Sequence, residues 1–295
     1  MTDAEAAPDS IAALLAVLDL SSSDARTTED IFTGVSQSMP HGRVYGGQVL
    51  AQSIVAAART MPPERLAHSM HGYFLRPGDA ERGITFSVDR IHDGRSFSTR
   101  RTQAFQDGLP IFSMIASFQD EHPGLEHQTP MPEGLPGPEE LPDIEQRLRE
   151  HDALGRRFFT DHPVELRHIP SPIYLSVEGD PAPSQAVWVR TRRPLPDDPA
   201  IHRAALAYIS DLSIQESILR AHGVAWATPG LKVASLDHAM WWHRPGRVDE
   251  WMLYVQESPS ARGGRGLATG RIYSRAGALI ASVAQEIMVR VPDAV

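Results

Sequence analysis

The chain repeats one pattern of secondary structure, and this repeat limits the folds that are open to it. In each half, a helical segment (residues 46–60 and 201–221) is followed by four long runs typical of antiparallel strands. Asp198 and Pro199 mark the start of the second helix. The repeat predicts an α+β protein in which a helix is wrapped by an antiparallel sheet, twice along the chain.

The order of the predicted strands and turns is similar in the two halves. The turn sequence at residues 75–78 (LRPG) recurs at 243–246 (HRPG). An alternative explanation is that any two α+β units share turn chemistry. The predicted strands are residues 67–75, 83–92, 97–106 and 111–118 in the first half, and 231–243, 250–258, 267–274 and 279–290 in the second, with further strands expected before each helix at 30–35, 164–168 and 185–191.

A proline-rich stretch separates the two halves. Prolines at positions 123, 130, 132, 136, 138 and 142 disfavour both a helix and a central strand, and this predicts a surface linker. We therefore divide the chain into a leader with a helix (residues 1–28), a first unit (29–120), a linker (121–156) and a second unit that carries the active site (157–295).

Charge and composition exclude several classes of function. With 28 basic and 37 acidic residues the net charge is −9, which argues against a nucleic-acid surface. The absence of cysteine excludes disulfides, thiolate metal sites and cysteine nucleophiles. We expect no metal and no cofactor. An acidic N-terminus and the lack of a long apolar run predict a cytoplasmic protein without a membrane span. Arginine supplies all basic residues except Lys232, which indicates GC-rich coding and a bacterial origin.

Three motifs carry a resemblance to a known family. Residues 42–48 (GRVYGGQ), 71–79 (HGYFLRPGD) and 236–245 (LDHAMWWHRP) resemble acyl-CoA thioesterase II of the TesB type, and the likeness runs from about residue 30 to 290. The resemblance implies a double hotdog fold, a homodimer or homotetramer, and hydrolysis of fatty acyl-CoA by an activated water. It also implies that Asp211, Ser235 and Gln285 activate that water.

Hydrophobic periodicity independently places these three polar residues in the core. Asp211 lies beside the apolar face of the second helix, and Gln285 and Ser235 alternate with apolar strand residues. A buried carboxylate must be paired, hydrogen-bonded or functional, because desolvation of its charge is costly. The alternative is that the three groups only satisfy one another, or that Asp211 caps a second helical segment after a break.

The repeat predicts a single active site per chain. In the first half, Gln48, Ala67 and Ala116 stand at the positions that match Asp211, Ser235 and Gln285, and none of them can activate water. We expect the first half to contribute the walls of the site. Gly46 and Gly47 at the start of its helix are candidates to contact the thioester through backbone amides, and Arg265 is a candidate contact for the CoA phosphates.

Two other functions remain open at this stage. One is a different hotdog enzyme, such as an enoyl-CoA hydratase. That chemistry usually places an Asp and a His within one short segment of the helix, and no such pair flanks Asp211. The other is a non-catalytic acyl-CoA binding protein. Release of free thiol from acyl-CoA separates all three.

Overall fold

The computed structural model describes residues 10–23, 28–39, 42–144 and 162–292. The elements of the first half are α1 (Ser10–Leu18), β1 (Ser21–Ser22), β2 (Asp30–Gly34), α2 (Gly46–Ala58), β3 (Leu66–Phe74), β4 (Ile84–Asp93), β5 (Phe97–Gln106) and β6 (Leu109–Gln119). Those of the second half are β7 (Val164–Ile169), β8 (Ser184–Thr191), α3 (Pro199–Ser210), α4 (Glu216–Ala221), β9 (Lys232–Ser235), β10 (Asp237–Trp242), β11 (Met252–Arg262), β12 (Arg265–Ser274) and β13 (Leu279–Arg290).

These strands form one antiparallel sheet that runs through both halves. The order is β1-β2-β4-β5-β6-β3-β10-β13-β12-β11-β8-β7, and β9 pairs with β13. The halves join where β3 pairs with β10, from Asp237 opposite Tyr73 to Trp241 opposite Ser69. Helix α2 packs against the strands of the first half and α4 against those of the second, and α2 also lies against α1 and, at the centre, against α3. The predicted arrangement of a helix and an antiparallel sheet, used twice, is confirmed.

The second helix is not continuous over residues 201–221. It breaks, as one of the alternatives for Asp211 supposed, but Asp211 is the C-cap of α3, and the N-cap of α4 is Gln215. Helix α3 starts as predicted, with Asp198 as its N-cap, but it ends at Ser210, and α4 begins only at Glu216. The hydroxyl group of Tyr254 donates to the backbone oxygen of Ser210 over 2.9 Å, and the side chain of Gln256 donates to Ser213 Oγ over 2.7 Å. Hydrogen bonds from the neighbouring strand β11 thus replace those that a straight helix would make.

The predicted strand at residues 231–243 is also interrupted. Leu236 separates β9 from β10, and its backbone oxygen accepts a hydrogen bond from the amide of Phe74 over 2.9 Å. In a regular strand, Ser235 and Asp237 would face the same side. Instead, Ser235 contacts the buried Gln285, whereas Asp237 reaches the exposed His71.

The described part of the predicted linker lies along the second half of the sheet. Apart from a 3₁₀ turn at Pro138–Glu140, it has no regular structure between β6 and residue 144. Gln128 exchanges hydrogen bonds with the backbone of Gly277 and Leu279, and Trp188 donates to the Pro136 oxygen over 2.9 Å. Part of the segment expected as linker, residues 145–156, and the start of the leader, residues 1–9, lie outside the described residues.

Candidate active site

The polar residues predicted from sequence lie beside a cavity between the two halves. The cavity has a volume of about 440 Å³. The first half contributes Gly46 from the start of α2 and Phe74 from the end of β3. The second half contributes Asp211 and Gln215, which lie in the break between α3 and α4, and Ser235 at the end of β9. The two local irregularities described above therefore position the side chains of the site.

Asp211, Ser235 and Gln285 form one hydrogen-bonded cluster. The side-chain amide of Gln285 donates to Asp211 Oδ1 over 2.7 Å and to Ser235 Oγ over 2.8 Å. The Ser235 hydroxyl group is also hydrogen-bonded to the Asp211 carboxylate. The structure thus brings together the three residues that the sequence predicted to be close.

The Asp211 carboxylate titrates at an unusually high pH for an aspartate. Burial raises its pKa to about 6, because the ionised form loses its hydration in the interior. Hydrogen bonds from Gln285, the Gly47 amide, Gln215 and Ser235 act in the opposite direction and limit the rise. The pKa thus lies just below neutral pH, where a carboxylate is largely ionised and still basic enough to take a proton.

The two glycines at the start of α2 have different roles in this geometry. The backbone amide of Gly47 donates to the Asp211 carboxylate. Gly46 lines the cavity, and a Cβ atom at this position would lie 2.7 Å from Asp211 Oδ2. The close approach of α2 to Asp211 therefore requires a residue without a side chain at position 46.

Gln215 is a site residue that sequence reasoning did not single out. Its side-chain amide donates to Ser235 Oγ over 3.3 Å, and it lines the cavity beside Asp211. Gln285, by contrast, is fully buried and lies behind Asp211 and Ser235. Its Oε1 atom has no hydrogen-bond partner in the described part of the chain. Gln215 gives no distinct sequence signal, because residues 211–215 continue the helical pattern of α3.

The structure does not place Arg265 on the cavity wall. Its guanidinium group lies on the β11–β12 hairpin and forms an exposed ion pair with Glu286 over 3.0 Å. Of the described residues, Arg43 and Arg76 are the cationic ones that line the cavity. The predicted contact between Arg265 and CoA therefore stays a prediction, and two arginines of the first half lie nearer to the cluster.

The first half carries an amide network where the second half carries a carboxylate. Gln48 is fully buried, accepts a hydrogen bond from the amide of Gln37, and donates to Gln52 over 3.0 Å. The strand register also follows the predicted correspondence, since Ala67 lies opposite Phe118 on β6 as Ser235 lies opposite Ile287 on β13. The network at Gln48 has no group that ionises near neutral pH.

Four histidines in or next to the central strands are hydrogen-bonded to other side chains. His68 and His243 each contact a serine hydroxyl, over 2.8 and 2.9 Å; His238 contacts Ser210 over 2.9 Å, and His71 contacts Asp237 over 3.0 Å. Among the described residues, no group of three or more His, Asp or Glu side chains is arranged to hold a metal ion. Within the same ranges, no helix has the length and apolar character needed to cross a membrane.

The duplicated architecture, with one carboxylate cluster against the central helices, defines a double hotdog protein. A solved protein of unknown function with a hotdog fold, from Alicyclobacillus acidocaldarius, matches with a TM-score of 0.77 at 18% identity, over 95% of this chain and 98% of that one. Residues 153–288 match the family acyl-CoA thioesterase, and residues 35–119 match the acyl-CoA thioesterase N-terminal domain.

Named relatives make the assignment specific. Human acyl-coenzyme A thioesterase 8 is 40% identical over 89% of this chain and 85% of its own length, and Haemophilus influenzae acyl-CoA thioesterase 2 is 37% identical over 88% and 92%. The crystal structure of acyl-CoA thioesterase II TesB2 from Mycobacterium marinum has a TM-score of 0.77 at 42% identity, over 96% of this chain and 100% of that one. The chain therefore belongs to the acyl-CoA thioesterase II family of the TesB type, and it is a thioester hydrolase that acts on acyl-CoA.

Proposed function

We propose that Asp211 is the general base that activates water for hydrolysis of acyl-CoA to a free acid and CoA. One observation carries this proposal: a buried carboxylate with its pKa raised to about 6 faces a cavity built by both halves of the chain. Such a shift in a cleft is typical of a group that transfers protons. The names of the relatives support acyl-CoA as the substrate.

The proposed reaction has one proton acceptor and one nucleophile. A water molecule held between Asp211 and Ser235 gives a proton to the carboxylate, and its oxygen attacks the thioester carbonyl carbon. The carbon–sulfur bond then breaks, and the departing CoA thiolate or solvent takes the proton from Asp211. Proton transfer by a positioned group contributes on the order of 10²–10⁴ to a rate.

Gln285 acts by positioning the other two groups. Both of its amide donations go to Asp211 and Ser235, so it fixes their separation and orients the water through them. Gln215 holds Ser235 from the cavity side. These contacts hold the Ser235 oxygen beside the carboxylate, so the hydroxyl group, which is bonded to Asp211 in the free protein, only has to rotate to donate to the water.

The start of α2 is proposed to stabilise the oxyanion that develops on the thioester oxygen. Gly46 lines the cavity at the first turn of the helix, where backbone N–H groups point outward and the helix dipole favours negative charge. Since the Gly47 amide is already bonded to Asp211, the Gly46 amide is the donor that we assign to the substrate.

The CoA phosphates are proposed to lie at the mouth of the cavity. Arg43 and Arg76 line it there, and guanidinium groups bind phosphate oxygens in pairs. Arg265 remains a candidate for a more distant part of CoA, provided that its pair with Glu286 opens.

We also propose that the protein works as a homodimer or homotetramer in the cytoplasm, in fatty acid metabolism. Tyr73, Ile115 and Trp241 lie on three adjacent central strands, and each exposes 44–55% of its surface. Large apolar side chains exposed on adjacent strands support an interface between subunits.

Incubation with a panel of acyl-CoA chain lengths tests the reaction class. We expect free thiol and free acid to appear in equal amounts, because hydrolysis breaks the carbon–sulfur bond once per turnover. A thiol reagent and mass spectrometry measure the two products. A hydrated acyl-CoA product without free thiol would instead indicate hydratase chemistry, and tight binding without any product would indicate a binding protein.

The pH dependence of the reaction tests the state of Asp211. Because burial raises the pKa to about 6, the base is protonated below that pH and ionised above it. We expect kcat/KM to fall about tenfold for each pH unit below 6 and to level off above 7. Initial rates of thiol release between pH 4.5 and 8 measure this limb. A profile that stays flat down to pH 4.5 would contradict the role of Asp211.

A further inference from the structure

A second cavity, the distal cavity, lies at the opposite end of the central helices. It has a volume of about 580 Å³ and is lined mainly by apolar side chains, among them Leu15, Ile54 and Ile201. Ala58 at this end of α2 lies about 18 Å from Gly46 at the active-site end, given the rise of a helix. The distal cavity is therefore separate from the active site, and its volume is within the range of about 300–1,000 Å³ typical of small-molecule sites.

Among the residues that the structure describes, four charged ones line the distal cavity, and three of them already have a partner. Arg59 forms an ion pair with Asp19 over 2.9 Å. Asp198 caps α3 and accepts a hydrogen bond from the amide of Ala200 over 2.8 Å. Arg203 is the fourth, and it differs from the others in its surroundings.

Arg203 is a half-buried cation whose charge is not matched locally. Its guanidinium group donates to the backbone oxygen of Ala67. Within the described ranges of the chain, no carboxylate lies at ion-pair distance, and Glu121 acts on Arg203 only from further away. Desolvation lowers the pKa of Arg203, which reflects the cost of holding this charge against apolar surroundings.

The chemistry of the distal cavity selects one class of ligand. A single guanidinium group without a counter-charge binds a single carboxylate through paired, charge-assisted hydrogen bonds. The walls that α1, α2 and α3 contribute are mainly apolar, as burial of a hydrocarbon chain requires. Acyl-CoA carries several phosphate charges, and this rim offers only one cation that lacks an ion pair among the described residues.

We propose that the distal cavity binds a medium-chain fatty acid, with its carboxylate on Arg203 and its chain between α1 and α2. The choice of ligand rests on the proposed function in one respect, since a fatty acid is the product that the enzyme would release.

Calorimetric titration of the full chain with decanoate tests this inference without any turnover. We expect Arg203→Met and Ala58→Phe each to weaken decanoate binding at least about tenfold, because one removes the cation and the other fills the cavity. Arg203→Lys should recover part of the affinity. Asp211→Asn should leave it unchanged, and the exposed Arg275→Met is the matched control. Decan-1-ol, which lacks the carboxylate, should bind equally well to the wild type and to Arg203→Met.

Each possible result has a defined meaning. Absence of decanoate binding, or unchanged binding in Arg203→Met, would overturn the inference. A change in affinity with Asp211→Asn alone would place decanoate in the active site and would also overturn it. If Arg203→Met fails to fold, Ala58→Phe and Arg203→Lys decide the question. Loss of hydrolysis in Asp211→Asn with intact decanoate binding separates this inference from the proposed catalytic function.

Discussion

Replacement of Asp211 by asparagine is expected to lower kcat by about 10²–10⁴, the contribution of a positioned proton acceptor. Asparagine keeps the size of the side chain and one oxygen for the Gln285 amide, which donates to Asp211 Oδ1 over 2.7 Å, but it cannot accept a proton from water. Thiol release from acyl-CoA under saturating substrate measures the effect. Asp197→Asn, at an exposed aspartate, is the matched control and should keep full activity.

The same variant should remain folded, which separates lost chemistry from lost structure. The pKa of Asp211 is higher in the folded chain than the ordinary value of 3.8. The folded state therefore loses stability relative to the unfolded state as the pH rises from about 4 to 6, and this loss persists at neutral pH. A neutral asparagine avoids this cost. A thermal melt at pH 7 is therefore expected to show no loss of stability. Wild-type hydrolysis rates in a folded Asp211→Asn protein would exclude Asp211 as the base.

Replacement of Gly47 by alanine is expected to destabilise the protein by about 3 kcal/mol, the upper part of the range for overpacking. A Cβ atom there would lie 2.4 Å from the backbone oxygen of Tyr208 and 2.5 Å from the Tyr45 ring, so α2 and α3 must move apart. The melting temperature should fall by about 5 °C. The separation would also withdraw the Gly47 amide from Asp211 and lower activity in the protein that remains folded.

Gly124→Ala is the control for this change. Gly124 lies in the segment after β6, and no atom lies within 4 Å of a Cβ placed there. Its melting temperature and activity should match those of the wild type. Equal stability of Gly47→Ala and Gly124→Ala would contradict the close contact between the two central helices.

The repeat made most of the fold predictable from sequence. Alternation in strands and the start signals at Asp198 and Pro199 depend on local chemistry, so they are visible along the chain. The break after Ser210 is not, because residues 211–215 still follow the helical pattern. It depends on hydrogen bonds from Tyr254 and Gln256, which lie about 40 residues further along the chain. Only the folded sheet brings them to the helix.

The same distinction applies to the candidate site. Periodicity was sufficient to predict that Asp211, Ser235 and Gln285 point inward. Gln215 was missed because it enters the cavity only after the helix is broken. The position of Arg265 depends on where the β11–β12 hairpin ends. The local sequence pattern does not indicate how far that end lies from the cavity.

The pairing of β3 with β10 makes the stability of each half depend on the presence of the other. A fragment cut in the proline-rich segment would expose these strands as open edges, and unpaired edges promote aggregation. The C-terminal fragment would retain Asp211 but lose the Gly47 amide that holds it. Only one half supplies the proposed base, yet we expect neither fragment to hydrolyse acyl-CoA alone. The duplicated chain therefore acts as one enzyme that cannot be divided where β3 pairs with β10.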